Sequence, residues 1–559
     1  MLYITRPNLG QPIITTVSGL VSGINFIISS EPDDRNSDTD IKDLSNYKLL
    51  IRPVDQKDIK FPLEVINVQS AKVNHQRDVS FNHVETHLII HKILELGRRE
   101  IPFWEVTVCF RGGDVLNGKK KRLFDVILTR GSKTRENNHA LCVYESIGDN
   151  LKFIHSTDLH IARRNDKILE MIKGKAPKVV YEDAKKGLIN FNENFRRLIR
   201  YVNSHSDEID FLIVSGDIVD YYQPDEFYKT NPLDMSVCSF EESNLSIFCD
   251  SVLGRGLNQN NELTIPIFTT TGNHDFRPYH YNLSQEELFK SFGLKEEYVH
   301  YLDETKVLHL DPILTANIKW LKEYFRRVNP DLDYIVRFGS TDLLFLDGGK
   351  DNYSFFSHLW DAIGGSPDTD CITDLQMELI NSYFEQKKGE RLTFIVMHTP
   401  PVNIRGKYVK EELYEDFRKE KTGNGWIDYR DRDLSYGSLA YNWERFLEVL
   451  TGLTNKKGYK VDLVLSGHAH QDIEFRLESY YDRKDKRKEV GIYCWNYSDQ
   501  LASKTTSEER KGWWEKNRPF VIQTAATGPH GKDEPEIRII TIENNEIKEM
   551  IPIKMKSLE

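Results

Sequence analysis

The sequence contains few cysteines. Six are scattered through 559 residues, and none forms a Cys-x-x-Cys pair: Cys109, Cys142, Cys238, Cys249, Cys371 and Cys494. A disulfide framework and a thiolate-bound structural zinc both need a denser arrangement of cysteines. We therefore expect buried thiols in a reducing compartment.

Long apolar runs are also absent. No segment reaches the roughly 18 uninterrupted apolar residues that a membrane span requires. Residues 12–29 resemble a leader most closely, but Thr, Ser, Gly and Asn interrupt them and only Arg6 supplies positive charge before them. We interpret this stretch as β-strands rather than an uncleaved signal. The sequence thus predicts a cytoplasmic protein that does not contact a membrane.

Positive charge is in the minority. The 75 Lys and Arg residues are outnumbered by 86 Asp and Glu, which gives a formal net charge of −11. This balance disfavours a protein that binds nucleic acid over its whole surface, whereas a local basic patch keeps nucleic acid open as a partner. The run RKDKRK at 483–488 is such a patch, and interleaved acidic residues favour a solvated hairpin tip there.

Residues 1–147 are typical of β-structure. Turn and charge clusters separate short runs rich in β-branched and aromatic residues: IITTV, INFII, KLLIRP, LEVINV, THLIIH, WEVTVCF, RLFDVIL and ALCVY. Strands at this spacing, without a long helix, predict an all-β, Ig-like sandwich domain. No cluster in it suggests catalysis, so we expect packing or interaction with an unknown protein partner.

From residue 148 to 559, apolar runs alternate with helical segments. The runs LKFIH, FLIV, IPIFTT, DLLFLD, TFIVM and DLVL are mostly apolar, and a helical face runs from Leu188 to Val202. This alternation predicts an α/β domain whose sheets are covered on their faces. Long polar segments near 221–262, 276–335 and 402–438 are interpreted as insertions, and the chain ends in further β-strands.

Polar side chains follow five of these strands, the DLLFLD strand being the exception. They are Asp158 and His160, Asp217 and Asp220, Asn273 and His274, His398, and His468 and His470. Ligands bind beyond the carboxyl ends of strands in α/β sheets, so we expect these side chains to meet. Such hard-to-borderline donors suit two Mn, Fe or Zn ions, and Asp217, from a central strand, is the natural bridge.

The order D-x-H, G-D-x-x-D, G-N-H-D, a lone H and G-H-x-H resembles the calcineurin-like metallophosphoesterase superfamily over about residues 150–475. The resemblance implies a four-layer α/β/β/α sandwich and two metal positions. One ion would be held by Asp158, His160, Asp217 and His470, and the other by Asp217, Asn273, His398 and His468. The resemblance also implies that His274 is a non-ligand histidine beside the scissile phosphate, paired with Asp220.

The subfamily stays open. Purple acid phosphatases also carry a β-sandwich, but their motifs have Gly and Tyr where this chain has His160 and Asp220. Protein Ser/Thr phosphatases place an Arg where Tyr221 stands. Repair nucleases of the superfamily usually begin with the first motif, and its cyclic-nucleotide phosphodiesterases are much shorter.

We therefore expect a metal-dependent phosphoric ester hydrolase. It would cleave phosphate mono- or diesters, with nucleotides left open, by in-line attack of a metal-bound hydroxide. His274 would act as general acid, and Asp220 would fix its tautomer and raise its pKa. The alternatives are a metal-dependent nuclease acting on DNA ends and a non-catalytic binding scaffold on the same fold. The intact ligand set argues against the scaffold.

Overall fold

The structure is a computed structural model of the chain. It describes residues 2–30, 41–70, 103–224, 238–279, 292–295, 298, 301, 316, 318–352, 368–404, 425–427, 437–482, 487–494, 497–529, 531 and 533–558. The predicted strand THLIIH and most of the RKDKRK run lie outside these residues.

The first part of the chain is built almost entirely from strands. Its elements are β1 (Leu2–Arg6), β2 (Ile13–Thr16), α1 (Val17–Ser22), β3 (Ile24–Ser30), β4 (Lys48–Pro53), β5 (Phe61–Ser70), β6 (Phe103–Cys109), β7 (Lys121–Arg130) and β8 (Lys133–Tyr144).

The rest of the chain alternates helices and strands. Its helices are α2 (Ile168–Lys173), α3 (Lys178–Gly187), α4 (Phe191–Ser204), α5 (Asn244–Val252), α6 (Lys322–Arg327), α7 (Asp374–Gln386), α8 (Trp443–Leu450), α9 (Tyr497–Ala502) and α10 (Ser507–Asn517). Its strands are β9 (Leu151–Ser156), β10 (Phe211–Ser215), β11 (Ile267–Thr270), β12 (Tyr334–Phe338), β13 (Thr341–Leu346), β14 (Thr369–Cys371), β15 (Leu392–Met397), β16 (Gly425–Ile427), β17 (Leu439–Tyr441), β18 (Leu463–Ser466), β19 (Ile473–Asp482), β20 (Arg487–Cys494), β21 (Phe520–Gln523), β22 (Glu536–Glu543) and β23 (Glu546–Lys554).

The N-terminal strands follow the order β1-β3-β6-β5-β4-β7-β8-β2. The first four form one layer and the last four the other, with β2 parallel to β8 and the remaining pairs antiparallel. This is the strand order of an Ig-type sandwich, in which an A-B-E-D sheet faces a C-F-G sheet. The predicted Ig-like, all-β region is therefore confirmed. The sequence analysis did not identify strand β1 or helix α1.

The remaining strands form two stacked sheets covered by helices. One has the order β11-β10-β9-β22-β23, and the other β12-β13-β15-β18-β21-β19-β20-β16. Helices α4, α5 and α6 pack on the outer face of the first sheet, and α7 and α8 on that of the second. The predicted four-layer α/β/β/α sandwich is confirmed.

Period-two alternation explains why these strands are apolar on both faces. Phe153 and Phe211 point into the core between the sheets, whereas Ile154 and Leu212 point to the helices outside. Because both faces of each strand are covered, most successive side chains are apolar. Leu188 departs from the sequence prediction, since it follows α3 and packs in a separate small cluster rather than on the α4 face.

Two of the segments interpreted as insertions contribute to the core where the structure describes them. Phe248 of α5 stacks on Phe195 of α4 with ring centroids 5.4 Å apart, and Trp320 is fully buried in the same cluster. Cys109, Cys142, Cys238, Cys249 and Cys371 are free thiols. Within the described ranges, every helix is too short or too polar to cross a bilayer.

The N-terminal sandwich docks directly on the α/β layers. Gly10 N donates to Val328 O at 2.6 Å, and Thr269 N donates to Gly10 O at 2.9 Å. Leu9 belongs to the core beneath β11, and the Tyr144 and Phe338 rings meet edge-to-face at 5.3 Å. Thr269 lies four residues before Asn273, so the sandwich supports a strand that leads to a predicted ligand.

A chain starting at Asn150 should therefore lose stability but keep its metal-binding residues. It loses the Gly10 hydrogen bonds and uncovers apolar surface around Phe338, so we expect a midpoint of thermal unfolding lower by about 5–10 °C and poorer solubility. Thermal unfolding and elemental analysis of the truncated and full chains test this. A folded truncated chain without metal would show that the ligand assignment or the boundary at 147/148 is wrong.

Candidate metal centre

Five parallel strands deliver the predicted residues to one edge of the two sheets. β9, β10 and β11 run parallel in one sheet, as do β15 and β18 in the other. The loops after these strands carry the D-x-H, G-D-x-x-D, G-N-H-D, lone-H and G-H-x-H residues. Two stacked sheets thereby bring together side chains more than 300 residues apart in sequence, such as Asp158 and His470.

The first group surrounds His160 and His470. Their Nε2 atoms lie 3.1 Å apart, and His470 Nε2 is 3.2 Å from Asp158 Oδ1. Asp217 Oδ2 lies 3.7 Å from His160 Nε2. Four potential ligand atoms therefore lie around one point.

The second group surrounds His398. Its Nε2 lies 3.1 Å from Asp217 Oδ2, 3.2 Å from Asn273 Oδ1 and 3.3 Å from His468 Nδ1. Asp217 Oδ2 thus approaches both groups, which is the position of a bridging ligand.

The donor atoms fit a cation. His398 Nδ1 donates to Ser215 O at 2.9 Å, so in the neutral ring that binds a cation the lone pair is on Nε2, which faces the Asp217 and Asn273 oxygens. Asp158 Oδ1 is buried and accepts no hydrogen bond from the described residues. Buried acceptors that face one another are costly unless a positive charge lies between them. Nitrogen and oxygen donors without thiolate fit the Mn, Fe or Zn ions that the resemblance implies.

The charged side chains shift one another's pKa. Burial lowers the pKa of His398, but Asp217 and Asp158 outweigh it and raise this pKa to about 9. Burial raises the pKa of Asp217, but His398 and His274 outweigh it and hold this pKa far below its usual range. Protons on the histidines can therefore supply the positive charge that a cation supplies when bound.

The ligand-bearing loops adopt an unusual backbone. Five of the seven predicted ligands have positive φ: Asp158 (51°), His160 (48°), Asp217 (47°), His468 (72°) and His470 (51°). Left-handed backbone at a non-glycine residue costs about 1–3 kcal/mol and clusters at functional sites. This conformation turns the side chains back towards the space between the loops.

Glycines before the motif residues allow the loops to approach. A Cβ on Gly467 would lie 2.0 Å from Thr157 Oγ1 and 2.3 Å from Asp158 Oδ2. A Cβ on Gly216, whose φ is 95°, would lie 2.7 Å from His398 Cβ. Glycine is thus required here by close contact between motifs that are distant in sequence.

Asp220 and His274 meet as the sequence suggested. His274 Nδ1 lies 2.9 Å from Asp220 Oδ1 and 2.9 Å from Asp220 O, while Asp220 Oδ1 also lies 3.3 Å from His160 Nδ1. Arg164 donates to the other Asp220 oxygen. The expected rise in the pKa of His274 is wrong, however. Burial and the Arg277 guanidinium lower this pKa, and they outweigh the opposite effects of Asp217 and Asp220.

The sequence analysis gave no role to Asp275, the last residue of the G-N-H-D motif, and it missed Arg277 and Asp351 beside the centre. Asp275 accepts hydrogen bonds from Gly272 N at 2.8 Å and Val219 N at 3.0 Å, and so ties two motif loops together. Arg277 lies against His274, with Nη1 2.6 Å from Nε2. Asp351 follows the DLLFLD strand, which has no polar cluster directly after it. This strand runs parallel to β15, so residues beyond its carboxyl end could have been expected near the centre.

His155 lies buried beneath the centre and predicts a pH-dependent stability. Its Nδ1 is 2.9 Å from Thr524 Oγ1 and its Nε2 is 2.8 Å from Ser215 Oγ. Burial and the Arg538 charge lower its pKa to about 3. In the unfolded chain the pKa of His155 is about 6.5. Below that pH the unfolded chain binds a proton that the folded chain does not bind, so the free energy of unfolding falls as the pH falls.

We expect the metal-free protein to lose about 2 kcal/mol of unfolding free energy through His155 between pH 6.5 and pH 4.5. Urea unfolding in the presence of a chelator measures this loss. His155→Gln should remove that part of the pH dependence, while His205→Gln, at a more exposed site, should retain it. Equal pH dependence in His155→Gln and wild type would contradict the assignment.

Comparisons with known proteins complete the description of the site. A family model described as calcineurin-like phosphoesterase matches residues 151–472. Purple acid phosphatase PPD1 from seeds of yellow lupin, Lupinus luteus, is 10% identical, with 96% of this chain and 70% of that chain covered and a TM-score of 0.37. A dimetal phosphatase from Danio rerio is 10% identical, with 72% and 99% covered and a TM-score of 0.31. No curated protein matches the chain.

Proposed function

Since the chain belongs to the calcineurin-like phosphoesterase family and is a metal-dependent phosphoester hydrolase, we propose that it binds two cations at its five strand ends and hydrolyses phosphate mono- or diesters there. The observation that carries this proposal is that Asp217 Oδ2 lies 3.7 Å from His160 Nε2 in the first group and 3.1 Å from His398 Nε2 in the second. Two cations held by one bridging carboxylate are a common arrangement for hydrolysis at phosphorus.

The ligand set that we propose follows the two groups. The first position takes Asp158, His160, Asp217 and His470, and the second takes Asp217, Asn273, His398 and His468. When bound, Mn, Fe or Zn ions supply Lewis acidity to the phosphoryl oxygens and make water more acidic. The positive-φ backbone at five of these ligands orients their donor atoms towards the two positions.

His274 and His470 define the side from which a substrate enters. Their side chains are 15% and 27% exposed, whereas those of Asp158, Asp217 and His398 are at most 1% exposed. A phosphate ester can therefore reach the centre past these two imidazoles. His274 is then placed to protonate the leaving-group oxygen, since Asp220 accepts from its Nδ1 and fixes the ring.

A histidine with a lowered pKa is a stronger acid, although a smaller fraction of it carries the proton at neutral pH. The leaving alkoxide develops negative charge beside His274, and this charge favours the protonated ring at that moment. In the neutral ring Nε2 accepts from Arg277 Nη1 at 2.6 Å, so His274 must exchange this contact for a proton before it acts as the acid, while Asp220 keeps the ring oriented.

We propose that residues 1–147 are a structural domain fused to the catalytic domain at 148–559. The hydrogen bonds between Gly10, Thr269 and Val328 support this role, since they fix the sandwich to β11. The substrate class that we propose is phosphate esters, among them nucleotides, and the net charge of −11 argues against nucleic acid as the main substrate.

Metal analysis combined with a substrate panel tests the proposal. The purified chain, reconstituted with Mn, is offered an aryl phosphomonoester, an aryl phosphodiester and single-stranded DNA. We expect two ions per chain and hydrolysis of one or both aryl esters. Cleavage confined to DNA would replace the proposal with the nuclease, and two ions without any hydrolysis would favour the scaffold. A chain that binds no metal would overturn it.

A further inference from the structure

A sixth strand end also reaches the centre. β13 runs parallel to β15, and the chain beyond β13 places Asp351 in an isolated bridge to Thr369. The Asp351 side chain is fully buried. Asn273 and Arg277, both from the loop that carries His274, donate three hydrogen bonds to its carboxylate.

The first partner is the amide of Asn273. Its Nδ2 donates to Asp351 Oδ1 at 2.6 Å, while its Oδ1 faces His398 Nε2 at 3.2 Å. A carboxylate only accepts hydrogen bonds, so the amide group that faces Asp351 must be the NH₂. The amide oxygen is thereby turned towards the second metal position. A flipped amide would present two N–H donors to a cation instead.

The second partner is the guanidinium of Arg277. Nε donates to Asp351 Oδ2 and Nη2 donates to Asp351 Oδ1, each at 2.8 Å. This two-pronged contact fixes the plane of the guanidinium. Its remaining nitrogen, Nη1, lies 2.6 Å from His274 Nε2. The positive charge therefore lies beside the face of the centre where the leaving group is expected.

We propose that Asp351 is a positioning residue that holds the amide oxygen of Asn273 towards the second metal position and anchors Arg277 beside His274. Through Asn273 it sets the affinity for the second ion, and through Arg277 it keeps a positive charge next to the leaving group. This inference rests on the proposed dinuclear centre. Groups that orient a ligand typically change metal affinity by about 10–100-fold when they are replaced.

Metal titration of the full-length, metal-free chain tests the inference. In Asp351→Asn the side chain keeps its shape but offers an NH₂ group in place of one oxygen, so Asn273 or Arg277 loses its acceptor. We expect the first Mn ion to bind as in wild type and the second to bind about 10–100-fold more weakly.

Asp370→Asn is the matched control. Asp370 is a partly buried carboxylate on the adjoining segment, and it accepts from Asn352 Nδ2 at 3.0 Å. Among the described residues it makes no hydrogen bond to Asn273 or Arg277. Both ions should bind this control with wild-type affinity.

A reciprocal exchange separates positioning from a general role in stability. In the double variant Asn273→Asp, Asp351→Asn, the ligand has an oxygen at both ends and the NH₂ at 351 can donate to it. We expect the second ion to regain wild-type affinity to within about threefold, since the ligand no longer needs to be oriented. The exchange conserves charge, so it also supplies the test if Asp351→Asn alone does not fold.

Wild-type affinity for both ions in Asp351→Asn would overturn the inference, as would a folded double variant that still binds the second ion weakly. Fewer than two ions in the wild-type chain would instead contradict the dinuclear centre itself. The two failures are therefore distinguishable within one set of titrations.

Discussion

Replacing Asp217 by Asn is expected to abolish metal binding and phosphoesterase activity together. Asp217 Oδ2 lies 3.1 Å from His398 Nε2 and 3.7 Å from His160 Nε2, so it serves both proposed positions. Asn removes a negative charge from both ions at once. Metals contribute several kcal/mol to phosphoryl transfer, so kcat/KM should fall by about 10³–10⁴-fold or more.

Elemental analysis and steady-state kinetics on the same preparation check this expectation. Asp342→Asn is a suitable control, because Asp342 is also a buried carboxylate but lies near the amino end of β13 and pairs with Arg391 at 2.6 Å. It should keep two ions and wild-type activity. Two ions per chain and an unchanged rate in Asp217→Asn would show that Asp217 does not bridge.

Replacing His274 by Ala should leave both ions in place and slow catalysis selectively. His274 is not among the proposed ligands, and its Nε2 lies 3.9 Å from the nearest Asp217 oxygen. As the general acid it should contribute about 10²–10⁴-fold to kcat on poor leaving groups. On an activated aryl ester the loss should be much smaller, because that leaving group departs without a proton.

Asp220→Asn should follow the same leaving-group trend more weakly. Because Asp220 also lies 3.3 Å from His160 Nδ1, metal content is measured alongside the kinetics. The slope of log kcat against leaving-group pKa is the deciding quantity. An equal loss on good and poor leaving groups would reject the acid role and leave His274 as a phosphate-binding group.

The layers of the fold could be predicted because strands that are buried on both faces have mostly apolar sequences. FLIV is apolar at every position and LKFIH is apolar at Leu151, Phe153 and Ile154, and both lie between a helical layer and the facing sheet. Parallel strands then bring their carboxyl ends to one edge, which is why Asp158, Asp217 and His398 could be grouped from sequence order alone.

Long-range contacts left no such signal. Asp351 lies 78 residues from Asn273 and 74 from Arg277, and no local pattern links them. The docking of Gly10 against Thr269 is likewise set by packing between domains rather than by periodicity. The pKa of His274 was predicted wrongly for a different reason: Arg277 stands only three residues along the chain, but the sequence does not show that its guanidinium turns towards the ring.

Anomalous X-ray scattering from crystals grown with Mn tests directly whether Asp217 bridges two metal ions. We expect two Mn peaks separated by about 3.5–4 Å. One should lie among Asp158, His160, Asp217 and His470, and the other among Asp217, Asn273, His398 and His468. A single peak, two peaks without Asp217 between them, or no peak at these strand ends would contradict this expectation.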